Sequence, residues 1–237
     1  MSPIAANLQA VRRRISEALQ GDSREVRLVA VSKTRAADVI RDAVSAGCRD
    51  FGENYVQEAL PKIAALAGEP VCWHFIGPLQ SNKARDVAER FDWFQGLDRA
   101  KIALTLSRHR PTGKEPLNVC IQVNISHEAT KSGVEPDAAL PLAREIAPLA
   151  GLRLRGLMGI ASPSADVAQQ RREFAVLKVA FEQLKGHGFA LDTLSMGMTH
   201  DLEAALVEGA TMVRVGTAIF GLRDLHPGPL PREREQP

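Results

Sequence analysis

Hydrophobic and polar positions along this chain follow two alternating periods. From Pro3 to about Gln20, the residues Ile4, Leu8, Val11, Ile15 and Leu19 recur at helical spacing with arginines between them, which predicts an amphipathic helix. At Val26 the pattern becomes a short β-branched run, VRLVAVSK, which ends in polar residues at Lys33. A helical stretch from about Ala36 to Ala46 follows and is closed by Gly47. The alternation then recurs. Further strands are predicted at DFGE from Asp50, VCWHFIG from Val71, DWFQGL from Asp92 and LNVCIQVNI from Leu117. LRLRGLMGI from Leu152, LDTLSMG from Leu191 and MVRVGTAIFG from Met212 complete the set. Helical patterns separate them, such as NYVQEALPKIAAL after the second strand and QQRREFAVLKVAFEQL after the sixth.

Alternating β and α segments with short links favour parallel strands joined by right-handed crossovers. Eight such units predict a single α/β (β/α)8 TIM barrel, with an extra helix before the first strand; a doubly wound open sheet is the alternative. The barrel, with its N-terminal helix, is expected over residues 1–223. The tail at 224–237, DLHPGPLPREREQP, is rich in proline and charge and is expected to be disordered.

Composition narrows the function classes. The chain has 237 residues, 45% hydrophobic and 24% charged, enough to bury a core without disulfides or metal. Lys and Arg number 30 against 28 Asp and Glu, a net charge of +2 without a basic arm, so nucleic acid is not the expected partner. The N-terminus lacks the apolar block of a signal peptide, and no apolar run is long enough to span a bilayer. A cytoplasmic protein without a membrane partner is expected, and a monomer is compatible with the sequence. Cys48, Cys72 and Cys120 have no metal-pair or redox-pair spacing; Cys72 and Cys120 lie in apolar runs and read as core.

In a barrel, chemistry belongs where apolar runs end in polar residues, at the C-terminal ends of the strands. Lys33 ends the first strand and shares a side with Val29 and Val31. At an apolar rim it would lose hydration and favour the neutral amine that captures carbonyls; an exposed lysine capping a strand is the bland alternative. Gly216 and Thr217 at the end of strand eight, with Ser195 at the end of strand seven, could hold a phosphate. Tight packing and a helix cap explain the same residues equally well. Arg214 falls on the inward face, as one half of an ion pair or as a donor to a ligand ring nitrogen. His74 lies in an apolar run and reads first as a core histidine. Gln122 and Asn124 give strand five one polar face, Asn54 faces the mouth or caps a helix, and Glu53 and Asp201 are candidate acids.

These segments resemble the pyridoxal phosphate homeostasis family (YggS/PROSC). The resemblance rests on LVAVSKT around Lys33, FGENYVQE from Phe51, WHFIGPLQSNK from Trp73, GLMGIA from Gly156, LSMGM from Leu194 and VRVGTAIFG from Val213. It implies a fold like the N-terminal barrel of alanine racemase, with pyridoxal 5′-phosphate (PLP) held as a Schiff base on Lys33. It also implies phosphate contacts near Ser195, Gly216 and Thr217, and Arg214 facing the pyridine nitrogen. Asn54, His74 and Met196 fall in segments that line the family's pocket. Thr199 stands where the family more often has serine. The implied role is vitamin B6 homeostasis without catalytic turnover and with no metal, delivering PLP to apo-enzymes. A PLP-dependent amino-acid racemase is the alternative. Such racemases need a second base, often a tyrosine from another domain, and Tyr55 is the only tyrosine here.

Overall fold

Eight parallel strands close into a barrel in the computed structural model, which describes residues 2–126, 128 and 131–222. The strands are β1 (Arg27–Val31), β2 (Asp50–Glu53), β3 (Cys72–Phe75), β4 (Trp93–Leu97), β5 (Leu117–Val123), β6 (Leu152–Gly159), β7 (Thr193–Ser195) and β8 (Met212–Val215). Each pairs with the next, and β8 returns to β1 with Leu28 opposite Val213 and Ala30 opposite Val215. The helices are α1 (Pro3–Leu19), α2 (Ala37–Ser45), α3 (Val56–Ala65), α4 (Ala84–Arg90), α5 (Ala100–His109), α6 (Ala139–Ile146), α7 (Val167–Gly186), α8 (Leu202–Val207) and α9 (Thr217–Phe220). The predicted tail at 224–237 lies outside the described residues.

Successive strand side chains point to opposite faces, so the chain builds two cores. Outward residues such as Phe51, Phe75, Phe94 and Leu157 join the helices in one large buried layer. Inside the barrel a smaller cluster of Val29, Trp93, Cys120, Met158 and Met212 is packed against Cys72. Burying each large apolar side chain stabilises the fold by roughly 1.5–3 kcal/mol.

Helix α1 forms because Pro3 presets its first turn and the Ser2 hydroxyl accepts from the Ala5 N–H. Its stripe of Leu8, Val11 and Ile15 is buried, as the spacing predicts. It covers the seam where the barrel closes. There Asn7 donates to the Ile219 carbonyl at 2.9 Å, and Arg14 grips Glu203 with two bonds of 2.7 and 2.9 Å.

Two boundaries differ from the sequence reading. Strand β1 ends at Val31, so Lys33 sits in the turn beyond it rather than at its end. The apolar run VRVGTAIFG is strand only to Val215; Gly216 breaks it and Thr217 opens α9. An apolar run does not by itself distinguish a strand from a short buried helix.

Candidate functional site

Barrel closure brings the two ends of the chain's chemistry together. Because β1 pairs with β8, the turn after Val31 lies beside the turn after Val215. A Cβ placed on Gly216 would touch the Val31 carbonyl oxygen at 3.4 Å. Lys33, Gly216 and Thr217 line one cleft with Val31, Arg35 and Phe220. Its volume is about 50 Å³, room for one or two waters or a small anion rather than for a whole cofactor. Lys33 is half-buried there.

The Lys33 turn is clamped from below. Ser32 is fully buried and its hydroxyl donates to Glu53 at 2.5 Å. Lys62 reaches back from α3 to both Glu53 oxygens at 2.9 Å and to the Ser32 carbonyl at 3.0 Å. Burial pushes the Glu53 carboxyl above its usual range, and the Lys62 ammonium opposes that shift. On the other side of Lys33, Thr34 adopts a left-handed φ of 66° and donates its N–H to Glu58 at 3.1 Å. A threonine holds that conformation only when its surroundings impose it. Glu53, read from sequence as a candidate acid, is therefore a structural partner. Lys62 and Glu58 were not singled out in sequence; their i,i+4 spacing on α3 was the available signal.

Arg214 points into the barrel and is almost wholly buried. One guanidinium nitrogen donates to Ser195 Oγ at 2.6 Å and the other to the Gly159 carbonyl at 2.9 Å. Both acceptors are neutral, so the expected alternative of an internal ion pair is not what these contacts form. Burial lowers the guanidinium pKa to about 10, which still leaves it charged at neutral pH. Ser195 in turn donates to Gln95 Oε1 at 2.7 Å. Gln95 meets His74 Nδ1 at 3.0 Å, and His74 Nε2 meets Asp50 Oδ1 at 2.9 Å. A chain of buried polar groups thus runs through the barrel from Arg214 toward the floor.

Three of the residues expected at the site lie in or beside this chain. The Ser195 hydroxyl accepts from Arg214 and donates to Gln95 inside the barrel. His74 is fully buried and stacks on Trp93 with centroids 5.4 Å apart; it lines none of the cavities at the mouth. Burial lowers its pKa against the pull of Asp50, which keeps the ring neutral. Met196 follows Ser195 and so faces the opposite way, into the layer between barrel and helices. Gln95 was the residue missed, since a lone glutamine in WFQGL has no distinguishing pattern.

Other residues do reach the mouth. Asn54, Gln122 and Asn124 line a cavity of about 280 Å³ with Ile76, Lys131 and Ile160. The predicted polar face of β5 is thus turned to the opening. Asn54 Oδ1 is buried and finds no hydrogen-bond partner among the described residues. Its backbone is pinned by Gly77, where any Cβ would fall 2.2 Å from the Asn54 carbonyl oxygen. Asp201 accepts the Met198 N–H at 2.5 Å and precedes α8, which makes it a turn-forming residue. Cys72, expected in the core, is half-buried beside His74.

Comparison with known proteins agrees with this fold. The family model described as alanine racemase, N-terminal domain, matches residues 2–224. The pyridoxal phosphate homeostasis protein of Pseudomonas aeruginosa is 56% identical over 227 residues, covering 94% of this chain and 97% of that protein. The structure of PipY from Synechococcus elongatus with PLP bound superposes with a TM-score of 0.81 at 36% identity, covering 92% of this chain and all of PipY. Alanine racemase from Corynebacterium glutamicum, at 18% identity and a TM-score of 0.68, shares the fold and covers 93% of this chain but 61% of the racemase.

Proposed function

Because the chain belongs to the pyridoxal phosphate homeostasis protein family, built on the alanine racemase N-terminal domain, we propose that it binds PLP covalently through Lys33 and serves to hold and release that cofactor. The observation that carries this reading is the single cleft shared by Lys33, Gly216 and Thr217. When bound, the cofactor supplies an aldehyde, an anionic phosphate and an electron-withdrawing pyridine ring. The residues suit each part. Lys33 would hold the aldehyde carbon through its amine. Gly216 and Thr217 would hold the phosphate, where the first N–H groups of a helical turn have no intrahelical acceptor. Arg214 is a dry cation bound to the neutral acceptors Ser195 and Gly159, and it would be the donor toward the ring nitrogen. The orphan Asn54 oxygen offers a buried acceptor at the mouth.

A charged arginine at the ring nitrogen disfavours protonation there, which weakens the ring as an electron sink. That arrangement suits storage better than turnover. Tyr55, the only tyrosine, is half-exposed in a different cleft with Gln57, Lys83 and Arg99 rather than beside Lys33. This supports the non-catalytic reading over a racemase, with recipient apo-enzymes as the partners. No helix of the described residues is long and apolar enough to cross a membrane.

The test is spectroscopic. Protein given PLP should develop a visible chromophore that is absent in Lys33→Ala, and borohydride reduction should fix a cofactor-sized mass to Lys33. A wild-type chain that takes up no cofactor would refute the proposal. Robust turnover in a chiral assay across amino acids would refute the non-catalytic part alone.

A further inference from the structure

We propose that Asp50, Cys72 and His74 form a binding site for a zinc-type divalent metal ion on the floor of the barrel, at the end opposite the Lys33 cleft. Cys72 and His74 are two residues apart on β3, so the pleat puts both side chains on the inward face. Asp50 opens the neighbouring strand β2 directly opposite Cys72 in the register. One thiol, one imidazole nitrogen and one carboxylate oxygen thereby lie within 4.8 Å of one another.

The separations fit a shared ion. Tetrahedral zinc with ordinary bond lengths sets sulfur and nitrogen ligands roughly 3.6 Å apart, and nitrogen and oxygen ligands roughly 3.3 Å apart. Here Cys72 Sγ lies 3.5 Å from His74 Nε2, and His74 Nε2 lies 2.9 Å from Asp50 Oδ1. Modest outward adjustment of the carboxylate would admit the ion. A thiolate, a carboxylate and a neutral imidazole balance a dication. Arg27, 3.1 Å from Asp50 and itself 43% exposed, would then face a site of no net charge.

The surroundings supply what ligands require. Asp50 and Cys72 line a cavity of about 430 Å³ open to solvent with Arg12, Glu25, Arg27 and Cys48, which gives the ion an access route and room for a water in the fourth position. Trp93 holds the imidazole plane by stacking at 12°. Gln95 contacts the second ring nitrogen, the position where metal-bound histidines are commonly supported. Proton accounting is simple. The Cys72 thiol proton leaves to solvent. The imidazole proton moves from Nε2 to Nδ1, and a half-turn of the Gln95 amide presents its oxygen to receive that N–H while its NH2 takes the place of the oxygen beside Ser195 Oγ and donates to it.

Neither Lys33 nor Arg214 ligates the ion, so metal binding and cofactor uptake are read by separate assays and either can fail without the other. The experiment uses the untagged full-length protein, stripped by chelator and titrated with Co(II), then with Zn(II) under equilibrium dialysis. One equivalent should bind, with the charge-transfer absorption of a cobalt thiolate and the intense visible bands of a four-coordinate ion. Cys72→Ser should remove the charge-transfer band and weaken zinc binding on the order of 100-fold, and Asp50→Asn at least about tenfold. Cys48→Ser, in the same cavity but outside the triad, should change neither. The proposal is overturned if wild type binds no stoichiometric metal, if the band survives Cys72→Ser, or if Cys48→Ser abolishes it. Should Cys72→Ser fail to fold, alkylation of wild-type Cys72 read by peptide mass spectrometry decides: zinc must slow it, and equal rates overturn the proposal.

Discussion

Replacing Lys62 by methionine tests whether the Lys33 turn stands on a dry ion pair. Lys62 Nζ makes two 2.9 Å contacts to Glu53 and one of 3.0 Å to Ser32. The side chains are 10% and 0% exposed, so bulk water cannot replace the lost ammonium. Removing one partner from such a pair costs about 3–5 kcal/mol, because the other charge is left buried. For a domain of this size each kcal/mol shifts Tm by about 2–4 °C, which predicts a fall of roughly 6–20 °C by calorimetry. The loss has a pH signature. Burial already holds the Glu53 carboxyl above the ordinary 4.5, and removing the Lys62 ammonium should raise it further. A carboxyl with a raised folded pKa binds its proton more tightly when folded. The variant should therefore come closest to wild type in acid and lose ground as pH rises above 4.5. The double variant Glu53→Gln, Lys62→Met should recover part of the loss, since a neutral amide can still bond Ser32. A fall of less than about 1 kcal/mol without pH dependence would refute the argument, because it would mean that Glu53 is not desolvated.

Ser195→Ala removes the acceptor of Arg214 and the donor to Gln95, so it should cost about 1–3 kcal/mol in chemical denaturation. It should also alter the absorption of bound PLP without abolishing uptake. Gly77→Ala forces a Cβ to within 2.2 Å of the Asn54 carbonyl and should destabilise by roughly 1–3 kcal/mol in thermal melts. Burial pushes the Cys48 thiol up to about 11 and Cys120 to about 12; alkylation at neutral pH should be slow in the native protein and fast in denaturant. Burial would raise Asp50, but His74 and Arg27 outweigh it and hold its pKa below 3.8. Its stabilisation should be complete above that value and be lost below it, so Asp50→Asn should flatten the acid limb of the stability curve.

Much of the barrel was legible because inward and outward positions on its strands differ in kind. The β-branched VRLVAV and the mixed LNVCIQVN both announce their faces, and even the four-residue DFGE forms a strand where it was expected. What the pattern could not show was depth along the barrel axis. Ser195 and Gly216 both lie near strand ends, yet one hydroxyl is sealed inside and the other turn opens to a cleft. Register between strands decides that difference, and register is not written in a single strand. The same limit hid Asp50 from Cys72 and His74, which lie 22 and 24 positions along the sequence but are brought beside it by the pairing of β2 with β3. Met196 carried its answer in plain alternation with Ser195.

The seam covered by α1 also constrains the order in which this molecule can be made. The helix leaves the ribosome before any of the strands, yet its hydrogen bond from Asn7 joins a carbonyl 212 residues later. At ordinary synthesis rates of about 5–20 residues per second, that partner arrives roughly 10–40 s afterwards. Through that interval the apolar stripe of Leu8, Val11 and Ile15 can meet α2 but not α8 or α9, which supply most of its native surface, and the first strand lacks its final neighbour. Nascent chains halted before Met212 should therefore engage chaperones and digest readily, and protection should appear in one step when the last strand and its short helix emerge.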